Sequence, residues 1–142
     1  MSDISAVKGL SKLNTLNFGR NNVSDISAIK GLSKLKVLWL NDNNITDFSV
    51  IKGLSNLEEL CCASSDFSDL SLLKGMKKLK SLNMGTSKVT DLSPLADLTG
   101  ITHLDFDRCQ ISDISAFEKH EQSEKCVFKL LPKYPRFFSA CR

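Results

Sequence analysis

Apolar residues in this chain return at a fixed interval. Set in rows of 22, the sequence from Asp3 to Phe117 aligns without a gap and yields seven apolar columns. Three are close to pure leucine: Leu10, Leu32, Leu54, Met76, Leu98, then Leu13, Leu35, Leu57, Leu79, Ile101, then Leu16, Leu38, Leu60, Leu82, Leu104. The others are Phe18, Leu40, Cys62, Met84, Phe106, and Val23, Ile45, Phe67, Val89, Ile111, followed by Ile26, Phe48, Leu70, Leu92, Ile114 and by Ile29, Ile51, Leu73, Leu95, Phe117. A repeat of this length marks a stack of small units, each of which buries its apolar side only against the units above and below.

Within a row the pattern changes period. Leu16-Asn17-Phe18 and Leu38-Trp39-Leu40 alternate inward and outward positions, which predicts a short strand with one buried face. Asn21-Asn22 and Asn43-Asn44 mark the turn that follows. Ser27 then reads as the N-cap of a single helical turn ending near Gly31, and Ser93-Pro94 places a proline where its missing N–H costs nothing. The expected fold class is α/β: a curved solenoid with short parallel strands on the concave face and short helical or 3-10 turns on the convex face. Residues 1–117 form the stack of about five coils, and 118–142 form a non-repeat cap or basic tail. A helix is predicted over Glu118 to Leu131, with Cys126, Val127, Leu130 and Leu131 covering the last coil, before Pro132 and Pro135 stop regular structure.

Composition narrows the function. The chain has 142 residues and a formal charge of +3, and aromatics are only 7%, so the core is aliphatic. Residues 1–117 are charge-neutral; the tail, with Lys119, Lys125, Lys129, Lys133, Arg136 and Arg142, supplies the excess. The strand face is mixed in sign, so no phosphate-binding footprint is expected and nucleic acid is not a predicted partner. No stretch is long and apolar enough to span a membrane. The opening Met1-Ser2-Asp3-Ile4 lacks the features of a secretory signal, and five cysteines at irregular spacing fit free thiols, so a cytoplasmic (alternatively nuclear) location is expected.

Chemistry is sparse. His103 near Asp105 and Asp107 offers three oxygen and nitrogen donors, but on alternate positions of one strand, which is a poor zinc site. The column Asp25, Asp47, Asp69, Asp91, Asp113 lacks the further oxygen ligands calcium needs and is read as structural, each carboxylate capping N–H groups of the adjacent turn. No metal, cofactor or catalytic residue is therefore expected, and the chain is not expected to be an enzyme.

What remains is a surface. Alternation turns outward Thr15, Val37, Glu59, Ser81, His103 in one column and Asn17, Trp39, Cys61, Asn83, Asp105 in the next. Most are small or polar, whereas Trp39 is large and the core columns do not need it. Val37, Trp39, Glu59 and Cys61 are the predicted centre of a protein-binding patch, with His103, Asp105, Asp107 and Arg108 as a second, polar end. The competing reading has Trp39 lying flat to shield its own sheet.

The row Leu-x-x-Leu-x-Leu-x-x-Asn-x-Ile, followed by Asp-Ile-Ser-x-Ile-x-x-Leu, resembles a leucine-rich repeat. It is similar to the 22-residue subclass found in a regulatory subunit of protein phosphatase 1 and in bacterial internalins. The resemblance implies a non-catalytic protein–protein interaction scaffold that binds its partner on the concave face. Two alternatives stay open: a regulatory subunit of an enzyme such as a phosphatase, and a fragment or engineered array without a dedicated partner. In the family the asparagine after the strand ties backbone along the stack, which assigns Asn21 and Asn43 a structural role. Later rows have Ser65, Ser87 and Cys109 there, whose shorter reach predicts looser, wetter turns. No N-terminal cap is visible before the first coil, so its apolar end could pair with a second copy end to end; a monomer is nevertheless the expectation.

Overall fold

A three-residue strand forms wherever a leucine stands between two outward-facing neighbours: β1 (Thr15–Asn17), β2 (Val37–Trp39), β3 (Glu59–Cys61), β4 (Ser81–Asn83) and β5 (His103–Asp105). The computed structural model describes residues 1–113, Ser115 and the backbone of Val127–Lys129, which is β6. The six strands make one parallel sheet in sequential order. Register follows the repeat: Leu16 lies beside Leu38, Leu60, Leu82 and Leu104 in turn. The stack curves, with the strands lining the inner face and 3-10 turns the outer one. Those turns are η1 (Ser5–Val7), η2 (Ser27–Ile29), η3 (Ser49–Gly53), η4 (Leu70–Leu73) and η5 (Ser93–Leu95).

The core is one continuous apolar column system. Leu35, Leu38, Leu40, Leu57, Leu60, Phe67, Leu79 and Leu95 have no exposed surface. The Phe48 and Phe67 rings meet edge to face, with centroids 4.9 Å apart. Burial is weakest in the first coil: Leu10 is 49% exposed, and Leu13 and Leu16 are only half-buried.

The return turns are held by aspartate rather than by serine. Ser27 was the expected N-cap; instead its N–H donates to Oδ1 of Asp25 at 2.7 Å, and the same bond recurs from Ser5 to Asp3, Ser49 to Asp47, Ser71 to Asp69, Ser93 to Asp91 and Ser115 to Asp113. In so short a turn the serine is already a helical residue, so its N–H is the orphan donor and the carboxylate two positions earlier reaches it. The serine N–H, joined by the hydroxyl, lowers the carboxyl pKa of Asp25, Asp47 and Asp113; at Asp69 the Ser71 hydroxyl is the larger cause. These bonds let like charges stand one coil apart. Gly31 closes η2 with φ +84°, a left-handed conformation that suits glycine.

The turn after the strand uses another left-handed column, and it contains no glycine. Arg20, Asp42, Ser64, Thr86 and Arg108 all have φ between 52° and 61°. The bend points the N–H of Arg20, Asp42, Ser64 and Thr86 at Asn41, Ala63, Gly85 and Asp107 carbonyls in the next coil. Just beyond it, Asn43 Nδ2 donates to the carbonyls of Phe18, Leu40 and Asn41, and its Oδ1 accepts from the Val23 N–H. Asn21 bonds the Phe18 and Gly19 carbonyls of its own coil.

The later turns are not loose. Ser65 and Ser87 are 9% and 7% exposed and Cys109 4%, and among the described residues no buried side-chain nitrogen or oxygen lacks a partner. Ser65 does reach less far, bonding the Cys62 carbonyl of its own coil and accepting from the Phe67 N–H at 3.3 Å. Cys109, however, spans the gap between coils: its Sγ donates to the Met84 carbonyl at 3.1 Å and lies 3.5 Å from Ser87 Oγ.

A second correction concerns the region after the repeats. Where a helix was expected, Val127–Lys129 forms a strand parallel to β5, with Leu104 beside Phe128. The step from His103 to Val127 is 24 residues, against 22 in every earlier pair. An open strand edge on β5 offers unpaired backbone groups, and a β-prone Val-Phe-Lys triplet satisfies them. The rest of the predicted Glu118–Leu131 helix, and Ile114 and Phe117 of the apolar columns, lie outside the described residues.

Candidate functional site

The parallel register lines outward side chains up along the inner face. Val37 stands beside Glu59, and Trp39 beside Asn17 on one side and Cys61 on the other. Trp39 is 39% exposed, while Val37, Glu59 and Cys61 are half-buried. The indole is not loose on the sheet: Nε1 donates to Glu59 Oε1 at 2.7 Å. This bond fixes the ring by one edge. Its register neighbours, Asn17 and Cys61, are both smaller than the indole.

Cys61 is a poor nucleophile in this setting. Burial pushes its thiol pKa up, the Ala63 N–H opposes that, and the charges of Asp42, Glu59 and Asp105 add to the rise. A thiol that stays protonated packs rather than reacts. Cys62, on the core side, is raised well above the ordinary range by complete burial.

The predicted polar end is a set of separate small contacts. His103 Nδ1 lies 2.9 Å from Thr102 Oγ1, turned toward its chain neighbour. Asp105 Oδ1 accepts from the Asp107 N–H at 2.9 Å, and its Oδ2 is 3.5 Å from Asn83 Nδ2. Asp107 faces Arg108 at 3.8 Å. Among the described residues no group of three or more His, Cys, Asp or Glu side chains is placed to hold a metal ion. The two halves of the predicted site stand on β2–β3 and on β5, so about 10–15 Å separates them at ordinary strand spacing.

One feature of this region escaped the sequence reading. Lys36, Glu58 and Lys80 occupy one column beside the strands, and Glu58 sits between the two ammonium groups at 2.9 and 2.7 Å. Alternation of sign at 22-residue spacing was the available signal. The bond from Lys80, then that from Lys36, hold the Glu58 carboxyl at about 2, well below its ordinary 4.5. A lowered folded-state pKa adds stability that is fully present above about 4.5 and is lost as pH falls toward 2. Denaturant midpoints stepped through that interval are therefore expected to fall more steeply for the native chain than for Glu58→Gln. Added salt should narrow the difference, because the cluster is solvent-exposed.

With this geometry in hand, the relationships of the chain are specific. The family model for leucine-rich repeats, in two copies, matches residues 11–53, 33–71 and 55–97. The chain belongs to the leucine-rich repeat family. It is similar in structure to internalin C2 from Listeria monocytogenes, at 34% identity and a TM-score of 0.79 over 84% of this chain and 53% of that one. The internalin inlF from the same organism gives 31% identity and a TM-score of 0.68 over 84% of this chain and 42% of that one. TLR13, solved as a complex with ssRNA13, gives 26% identity and a TM-score of 0.56 over 68% of this chain and 15% of that one. The chain thus spans about half the length of internalin C2. No curated protein sequence matches it.

Proposed function

We propose that this chain is a non-catalytic scaffold that binds another protein on its concave strand face, with Trp39 at the centre of the contact and Val37, Glu59 and Cys61 around it. The observation that carries the reading is the Trp39 indole, 39% exposed and pinned by Glu59 on a sheet whose other outward side chains are all smaller. A large ring held in one orientation removes apolar area from water on binding with little further entropy loss. The family is rich in interaction scaffolds, which agrees with this use of the sheet. His103, Asp105, Asp107 and Arg108 form the outlying rim.

A protein partner suits the face better than a nucleic acid. TLR13 was solved with RNA, but the inner face of this chain sets Asp42, Glu59, Asp105 and Asp107 against Arg20 and Arg108, a balance that repels phosphate. Trp39→Ala is expected to weaken partner binding by tenfold or more, about 1.4 kcal/mol, while the unfolding free energy falls by about 1–2 kcal/mol for the lost bond and partial burial, leaving the chain folded. Titration calorimetry and urea denaturation measure the two. Unchanged affinity would return Trp39 to the role of a shield over its own strands.

A further inference from the structure

The bond between Trp39 and Glu59 uses the edge of the indole and one carboxylate oxygen. Trp39 keeps 39% of its surface exposed, and the second oxygen of Glu59 takes no hydrogen bond or ion pair among the described residues. Neighbouring acids are already matched: Glu58 by Lys36 and Lys80, Asp42 by Arg20 at 4.0 Å, and Asp107 by Arg108 at 3.8 Å. Glu59 has no such counter-ion among the described residues.

An aromatic face beside an unmatched carboxylate is the chemistry that selects a cation. The negative ring face attracts the charge and the carboxylate pairs with it. A guanidinium does both at once, since its plane stacks on the indole while its N–H groups fork toward the oxygen. We propose that the anchor a partner protein inserts here is a basic side chain, arginine in the best case, clasped between the Trp39 ring and the free oxygen of Glu59. Asn17 and Cys61, which flank Trp39 across the sheet, are both smaller than the indole. The local field has the required sign, because Asp42, Glu59 and Asp105 reinforce the upward shift that burial gives the Cys61 thiol. The inference rests on the strand-face reading above and adds the chemistry of what is bound.

The test selects random short peptides on the full chain and titrates the winners while following the emission of Trp39, the single tryptophan. Calorimetry replaces fluorescence for the Trp39 variants. The expected winners carry arginine, lose binding with Trp39→Ala and keep most of it with Trp39→Phe. Glu59→Gln keeps an acceptor for the indole N–H but removes the charge, and should weaken them about fivefold or more. Rising salt should weaken binding to the native chain more than to Glu59→Gln. Winners without a basic residue, or basic winners indifferent to Glu59→Gln, overturn the inference; if their binding still falls with Trp39→Ala, the strand-face reading survives. If no peptide responds to Trp39→Ala, both fall.

Discussion

Replacing Leu60 with alanine is expected to lower the unfolding free energy by about 2–5 kcal/mol. Leu60 is fully buried in β3, and its register neighbours Leu38 and Leu82 are 0% and 1% exposed. The void left by the missing atoms would open toward both adjacent coils. A globular core can relax around such a hole from several directions, but a coil in a stack has only the units on its two sides. The matched control is Leu16→Ala in β1, where the side chain is already half-exposed. Its cost should be about half as large or less, since less surface returns to water. Urea titrations of both variants, followed by far-UV circular dichroism and Trp39 emission, measure the difference. Equal losses would mean that the central coil is not held by its neighbours.

The second large effect belongs to Asn43. Its Nδ2 lies 3.0 Å from the Phe18 carbonyl of the preceding coil and 3.1 and 3.2 Å from the Leu40 and Asn41 carbonyls of its own. Its Oδ1 holds the Val23 N–H at 2.9 Å. Asn43→Ala removes all four bonds from a half-buried turn, leaving backbone groups without partners, and should cost about 2–3 kcal/mol. Ser65→Ala, one coil on, removes the bond to the Cys62 carbonyl and one long bond from the Phe67 N–H, and should cost about 1 kcal/mol. Amide exchange gives a local check: the Val23 N–H should lose protection in Asn43→Ala and keep it in Ser65→Ala. Unaltered exchange at Val23 would show that this bond does not tie the coils together.

Much of this architecture was legible before any coordinates because burial imposes the period. A side chain such as Leu38 has to face inward once in every coil, so the column Leu16, Leu38, Leu60, Leu82, Leu104 marks both the strands and their register. Alternation also placed Trp39 on the solvent side of its strand, away from the core. Polar details were less legible. The aspartate column was legible as a set of turn caps, and Asp25 does accept from the Ser27 N–H; Ser27 itself is not the cap expected of it, because it is already the first residue of η2. The left-handed positions Arg20, Asp42, Ser64, Thr86 and Arg108 carry no glycine to announce them. β6 was hidden because its spacing breaks the repeat, and residues that read as a helix end supply the next strand.

The linear order of apolar and polar residues was enough to decide which side chains point into the stack, because turning any one column outward would expose it in every coil. It was not enough to decide how the polar side chains pair. The grip of Glu59 on Trp39, the bridging of Glu58 by Lys36 and Lys80, and the bond from Cys109 to the preceding coil depend on rotamers and backbone bends that exist only once neighbouring coils are in place. Hydrophobic burial is non-directional and leaves its trace in periodicity, whereas hydrogen bonds and ion pairs require distance and angle, which the folded stack supplies.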